Sequence, residues 1–151
     1  MPSLSLDSPA FEDGGPIPAE YGRTERDVNP PLRIAGVAPD AETLALVMDD
    51  PDAVEPAGKV WDHWVVWNVP AETEAVPEDW DATDATEGRT DYGETGYGGP
   101  NPPDGRHTYR FRLYALDVTL DLPPNATTAD LEDAMDGHVL AEAHLEGTYA
   151  P

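Results

Sequence analysis

His107-Thr108-Tyr109-Arg110-Phe111-Arg112-Leu113-Tyr114-Ala115-Leu116-Asp117 alternates in character residue by residue. His107, Tyr109, Phe111, Leu113 and Ala115 fall on one side and Thr108, Arg110, Arg112 and Tyr114 on the other, the period-two pattern of a half-buried β-strand. Directly upstream, the stretch from Tyr97 to Arg106 holds Gly98, Gly99 and Gly105 together with Pro100, Pro102 and Pro103. Glycine frees the backbone and proline fixes it, so a stiff turn delivers two polar rings, His107 and Tyr109, to the core side of the strand at the end nearest the loop.

Two further strands frame this one. Leu44-Ala45-Leu46-Val47-Met48 is a short continuous apolar run, expected to be buried on both faces, and it delivers Asp49-Asp50-Pro51-Asp52 at its end. Val60 to Val69, closed by Pro70, reads as a central strand. Alternation places Trp61, His63, Val65, Trp67 and Val69 on one face, and Trp64 and Val66 with Asp62 and Asn68 on the other. Between Phe11 and Pro31 the glycines and prolines favour turns and extended segments over helix, and Leu32-Arg33-Ile34 reads as a short strand. Ala71 to Gly96 is expected to be an acidic surface excursion with little regular structure. After Pro123-Pro124, Thr127 or Thr128 should cap a helix carrying Leu131, Ala134 and Met135 on one stripe. Gly137 ends it, a second short helix is expected over 138–143, burying Val139, Leu140 and Ala143, and His144 to Tyr149 should close the chain as a strand.

At 151 residues with no internal repeat, the chain is read as one domain, 1–151. It carries 31 Asp+Glu against 8 Lys+Arg, a formal charge of -23, and Lys59 is its only lysine. Four Trp and six Tyr, with compact apolar runs, argue for a folded chain despite that charge. Dispersed carboxylates with few long basic side chains suit concentrated salt, where screening reaches to about 3 Å at 1 M, so a halophilic composition is expected. The same charge opposes nucleic acid and anionic membrane surfaces, which demand basic footprints. No charged segment followed by an apolar run stands at 1–11 and no apolar run has bilayer length, so a cytoplasmic protein without stable membrane association is expected. Cysteine is absent, which removes disulfides, thiolate metal sites and Cys nucleophiles.

Asp50 and Asp52, His63, and His107 with Tyr109 converge if their strands are neighbours. Two imidazoles, a phenol and the amides of a glycine turn can donate to an anion, and an adjacent aspartate would hold a histidine protonated, which together describe a pocket for phosphate or carboxylate. Pro100, Pro102 and Pro103 forbid the helix a nucleotide loop needs, and no lysine follows. Serine occurs only at Ser3, Ser5 and Ser8, outside any such site. Zinc on Asp50, His63 and His107 stays open chemically but lacks paired-His spacing.

Taken together, Asp50-Pro51-Asp52-Ala53, His63-Trp64-Val65-Val66, Gly98-Gly99-Pro100, Pro102-Pro103 and His107-Thr108-Tyr109 resemble the phosphatidylethanolamine-binding protein family, also called Raf kinase inhibitor-like proteins, in its compact prokaryotic branch. Phe11 to Tyr21 with Asn29-Pro30-Pro31-Leu32 resembles the family's opening, and Gly137 to Tyr149 its close. The resemblance implies a mainly β, antiparallel two-sheet Greek-key fold with short peripheral helices near the C-terminus. It implies a small anion pocket in which Asp50, Asp52 and Ala53 form one loop, His63 sits on the central strand, Gly98, Gly99 and Pro100 form a second loop, and His107 and Tyr109 complete the wall. Such proteins bind phosphate-like groups, often regulate kinases or proteases, need no cofactor or metal, and are not established catalysts. The expected partner is a small anionic ligand or a phosphorylated or acidic protein segment, and prokaryotic relatives imply a homodimer. The rival is a hydrolase or lyase using Asp50, His63 and His107 as acid and base. Three departures stand out. Val54 follows Ala53 where the family usually has proline, which here comes at Pro56. Thr108 replaces an arginine, a change expected to affect the outer face more than the pocket, and Asn101 stands where cysteine is frequent.

Overall fold

The alternating stretch forms a ten-residue strand paired along both of its edges. A computed structural model describes residues 3–54 and 58–150. The strands are β1 (Ser5–Asp7), β2 (Gly15–Pro16), β3 (Leu32–Ala35), β4 (Thr43–Asp50), β5 (Trp61–Pro70), β6 (Ala75–Val76), β7 (Thr86–Glu87), β8 (His107–Leu116) and β9 (Val139–Tyr149), and one helix, α1 (Thr128–Met135), lies between the last two. β8 pairs antiparallel with β4 on one edge and β9 on the other, inside a six-stranded sheet ordered β2-β9-β8-β4-β5-β7. A second sheet, β1-β3-β6, is antiparallel throughout. The mainly β, two-sheet architecture expected from the sequence is present.

Every residue of β4 is buried, as its unbroken apolar run requires. Leu44, Leu46 and Met48 join Trp64, Tyr109, Phe111 and Leu113 in a core shared with Leu6, Leu32, Ile34 and Val76 of the small sheet. Ala45 and Val47 face the other way, into a core with Val65, Trp67 and Leu116 that is roofed by Leu131 and Met135 of α1. Thr127 caps α1 as expected: its hydroxyl accepts from Asp130 N while the Asp130 carboxylate accepts from Thr127 N at 3.1 Å. Thr127→Ala should lower stability by about 1 kcal/mol, read as a shift in the urea midpoint at constant slope.

Two expectations for β5 are corrected. Pairing with β4 runs Met48 to Trp64 but Asp49 to Asp62, so His63 is the extra residue of a bulge and leaves the Val65 face. Asn68 adopts φ 55°, and its side-chain amide clasps both backbone groups of Leu120 at 2.8 Å. Past that kink Val69 packs in the inter-sheet core, not beside Trp67.

The expected second helix over 138–143 is also corrected. Gly137, at φ 83°, turns the chain directly into β9, which pairs with β8 from Leu116–Val139 to His107–Tyr149. The free edge of β8 offers a continuous ladder of hydrogen bonds, which outweighs local helix propensity. Val139 and Leu140 are consequently exposed, at 42% and 39%. The 71–96 excursion is more ordered than expected. It contributes β6 and β7, Asn29 ties it down through Pro77 O at 2.9 Å and Trp80 N at 2.8 Å, and Trp80 meets Trp64 edge-on at 6.3 Å. No helix among the described residues is long and apolar enough to cross a membrane.

Candidate functional site

At the end of the large sheet where β4 finishes and β8 begins, a cavity of about 220 Å³ is lined by Asp50, Ala53, Trp61, His63, Tyr92, Asn101, Pro102, Pro103, His107 and Tyr109. Its walls are largely aromatic and proline, with a few polar atoms, as small-molecule sites tend to be.

Asp50 is the last residue of β4 and caps the short turn Pro51–Ala53: Oδ1 accepts from Asp52 N at 2.9 Å. Its other oxygen lies 2.6 Å from His107 Nδ1, both side chains being buried. Alternation along β4 sends Asp49 to the opposite face, where it meets Arg110 and Arg112. The bulge in β5 aims His63 at the cavity, edge-on to Tyr109 at 5.2 Å and to Tyr92 at 5.6 Å. His63 Nδ1 lies 2.7 Å from the Gly98 carbonyl oxygen, so that nitrogen carries the proton and Nε2 keeps the lone pair.

The two histidines are driven in opposite directions. Burial pushes His63 below the ordinary histidine range, outweighing the Gly98 carbonyl and Asp50, and the ring is neutral. Burial also pulls on His107, but its hydrogen bonds to Asp50 and Asp104 together prevail and hold it above that range, as an imidazolium. Asp104 Oδ1 stands 2.6 Å from His107 Nε2, so both ring N–H groups are occupied. Burial and then Asp50 raise the Tyr109 phenol, with the Asn101 backbone opposing them, and its buried hydroxyl, near Asp50 and Asn101, makes no hydrogen bond of good geometry. Burial likewise pushes Tyr92 up to about 12, with the Arg23 guanidinium 4.0 Å above its ring.

Of the residues named from sequence, Asp50, Ala53, His63, His107 and Tyr109 converge on the cavity, whereas Asp52, Gly98, Gly99 and Pro100 do not line it. Asp52 instead accepts from Thr108 N at 2.8 Å, fastening the turn to β8, so Thr108 takes part through its backbone. The glycine amides are not free donors, which corrects the expected nest. Gly98 N donates to His63 O at 2.8 Å and Gly99 N to Asp27 Oδ1 at 2.7 Å. Their carbonyls accept from His63 and from the Tyr92 hydroxyl at 2.8 Å, and Pro100 O accepts from Arg23 N at 2.9 Å. A Cβ at Gly99 would run into the backbone of Tyr21 and Arg23, which is why that position is glycine. The turn is a buttress behind His63. Val54 is 51% exposed and Pro56 lies outside the described residues.

Trp61, Tyr92, Asn101, Pro102 and Pro103 line the cavity without having been singled out as site residues. Trp61 is two residues from His63 and on the same side, so alternation could have found it. Tyr92 sits in the acidic excursion and has no local signal. With His63 Nδ1 and both nitrogens of His107 occupied, the zinc option lacks the ligand set it would need, and no group of three or more His, Asp or Glu among the described residues is arranged to hold a metal.

A mainly β two-sheet protein, antiparallel except where β2 pairs parallel with β9, with a small aromatic and histidine cavity at its strand ends belongs to a known class. The pattern of the phosphatidylethanolamine-binding protein family matches residues 7–150. The chain is 46% identical over 151 residues to a UPF0098 protein of Methanothermobacter thermautotrophicus, covering 97% of this chain and 98% of that one. It is 44% identical over 142 residues to a Pyrococcus abyssi UPF0098 protein, covering 88% and 78%. Among solved structures, a phosphatidylethanolamine-binding protein homologue from Chlamydia trachomatis superposes with a TM-score of 0.92 at 39% identity, covering 99% and 98%. Escherichia coli YbcL, described as a member of the mammalian family, gives 0.89 at 27% identity, covering 97% and 98%. The chain belongs to the phosphatidylethanolamine-binding protein family.

Proposed function

We propose that this protein is a non-catalytic binding protein whose cavity takes a small anionic group, a phosphate or carboxylate carried on a ligand or on a partner segment. The observation that carries the reading is the pair at the cavity: a buried imidazolium, His107, beside a buried phenol, Tyr109, whose hydroxyl has no partner. A buried donor left unpaired costs free energy that a ligand oxygen would relieve. His63 supports an anion that brings a proton, since its Nε2 is an acceptor. Among the described residues the lining holds no Ser, Lys or Cys, which disfavours a covalent hydrolase route, and His63 Nδ1 and both His107 nitrogens are already held by protein groups, which favours binding over acid–base chemistry on Asp50, His63 and His107. A protein partner bearing the anion, such as a kinase or protease under regulation, would meet the same chemistry. Calorimetric titration of the protein with inorganic phosphate should give saturable one-to-one binding. An absence of heat up to tens of millimolar phosphate, with no change in its 31P resonance, would count against the reading.

The formal charge of -23 is proposed to match concentrated salt. Among the described residues several of the ion pairs that offset it are exposed on both sides and therefore weak, such as Arg33–Asp7 at 2.8 Å. Raising NaCl from 0.1 to 2 M should screen carboxylate repulsion and lift the melting temperature by roughly 10 °C. An unchanged melting temperature and full near-UV circular dichroism in dilute buffer would contradict a halophilic design.

A further inference from the structure

His107 has two ring N–H groups, and the protein holds both with its own carboxylates, but the two contacts are built differently. Asp50 is buried, is fixed at the end of β4 and also caps the following turn. Asp104 does not itself line the cavity: its side chain is 54% exposed, and it follows the lining residue Pro103 in the loop that leads to Gly105. Its 2.6 Å contact with His107 Nε2 is the one hydrogen bond its side chain makes among the described residues. Gly105, at φ 148° and with nothing within 4 Å of where a Cβ would lie, leaves this loop free to re-form around the contact.

An external anion that uses the imidazolium must therefore take Nε2–H from Asp104, since Nδ1–H is locked in the frame. We propose that Asp104 is the selectivity residue of the cavity: its carboxylate stands in for the ligand oxygen on His107, and a ligand enters by displacing it. This rests on the anion reading above. A tethered carboxylate acts at an effective concentration of millimolar or more. A bare monovalent anion only exchanges like for like and is excluded. A ligand that also reaches the Tyr109 hydroxyl or Asn101 gains contacts that Asp104 does not make, and it prevails.

The test is to titrate inorganic phosphate and, separately, acetate into the wild-type protein, Asp104→Asn and Asp104→Ala, at 0.15 and 1 M NaCl. The 15N resonances of the His107 ring are followed in parallel. Both variants should bind phosphate roughly tenfold or more tightly than wild type, the scale of one charge-assisted hydrogen bond, and should admit acetate that the wild type rejects. The gain should persist at 1 M salt, where screening erases the effect of merely removing a surface charge. The His107 Nε2 signal should move on substitution and move further with phosphate. Equal phosphate affinity in all three proteins would overturn the role of Asp104 while leaving the anion site intact, as would a gain that vanishes at 1 M salt. Phosphate binding by none of them would remove both the site and its selectivity residue.

Discussion

Asp49→Ala is expected to destabilise the protein by about 3–5 kcal/mol, the range for breaking a buried ion pair from one side. Asp49 is 1% exposed, and its carboxylate receives Arg110 Nε at 2.8 Å, a second Arg110 nitrogen at 3.0 Å and Arg112 at 2.9 Å. Removing it strands the Arg112 guanidinium, 16% exposed and with its Nε already unpartnered, while Arg110, a third exposed, loses its two carboxylate bonds but keeps access to water. Glu132, 3.9 Å from Arg112 and half exposed, is too distant and too wet to substitute. Asp49 also directly precedes Asp50, so this cluster anchors the strand end that positions the cavity carboxylate. Urea unfolding at fixed salt measures the loss. Replacing Asp49, Arg110 and Arg112 together by leucine or methionine should recover most of it, because the penalty comes from uncompensated charge. Near-native stability of Asp49→Ala would show that the cluster does not brace β4 and β8.

His107→Ala should weaken phosphate binding by roughly 10- to 100-fold, the worth of a hydrogen bond from a charged donor. The direction of the pH dependence follows from the raised pKa of this ring. The charged ring is the binding form, so affinity should hold through pH 6.5 and fall as pH rises through the elevated folded-state value. Stability has the same sign: the contribution of His107 is complete below its unfolded pKa and is lost as pH rises through the folded one. His63, held below the usual range, contributes in the opposite sense, with stability present above 6.5 and lost on acidification. His107→Ala should abolish the alkaline loss of affinity as well as weaken binding. An unchanged affinity and profile would exclude His107 as the anion donor.

β4 and β8 were legible because their patterns come from burial that the chain expresses locally: one buried on both faces, the other on one. β5 was legible as a strand but not in its facing, because the bulge at His63 and the kink at Asn68 are set by pairing with β4 and by Leu120, neither of which alternation detects. Val139 to Ala143 fits a helical stripe as well as a strand, and the open edge of β8, remote in sequence, decides between them. Within the site, the chemically distinctive residues Asp50, His63, His107 and Tyr109 could be named in advance. The role of the glycine turn could not, since its amides are consumed by His63 and by Asp27, the latter 72 positions away. Tyr92 enters on an excursion whose anchors, Asn29 among them, are equally distant.

The anion site is tested most directly by a crystal structure of the protein grown or soaked in phosphate at high salt. The account predicts a tetrahedral oxyanion in the cavity, within hydrogen-bond reach of the Tyr109 hydroxyl and His107 Nε2, with Asp104 swung away from the ring. A cavity holding only water in saturating phosphate, with the Asp104–His107 contact intact at 2.6 Å, would contradict it.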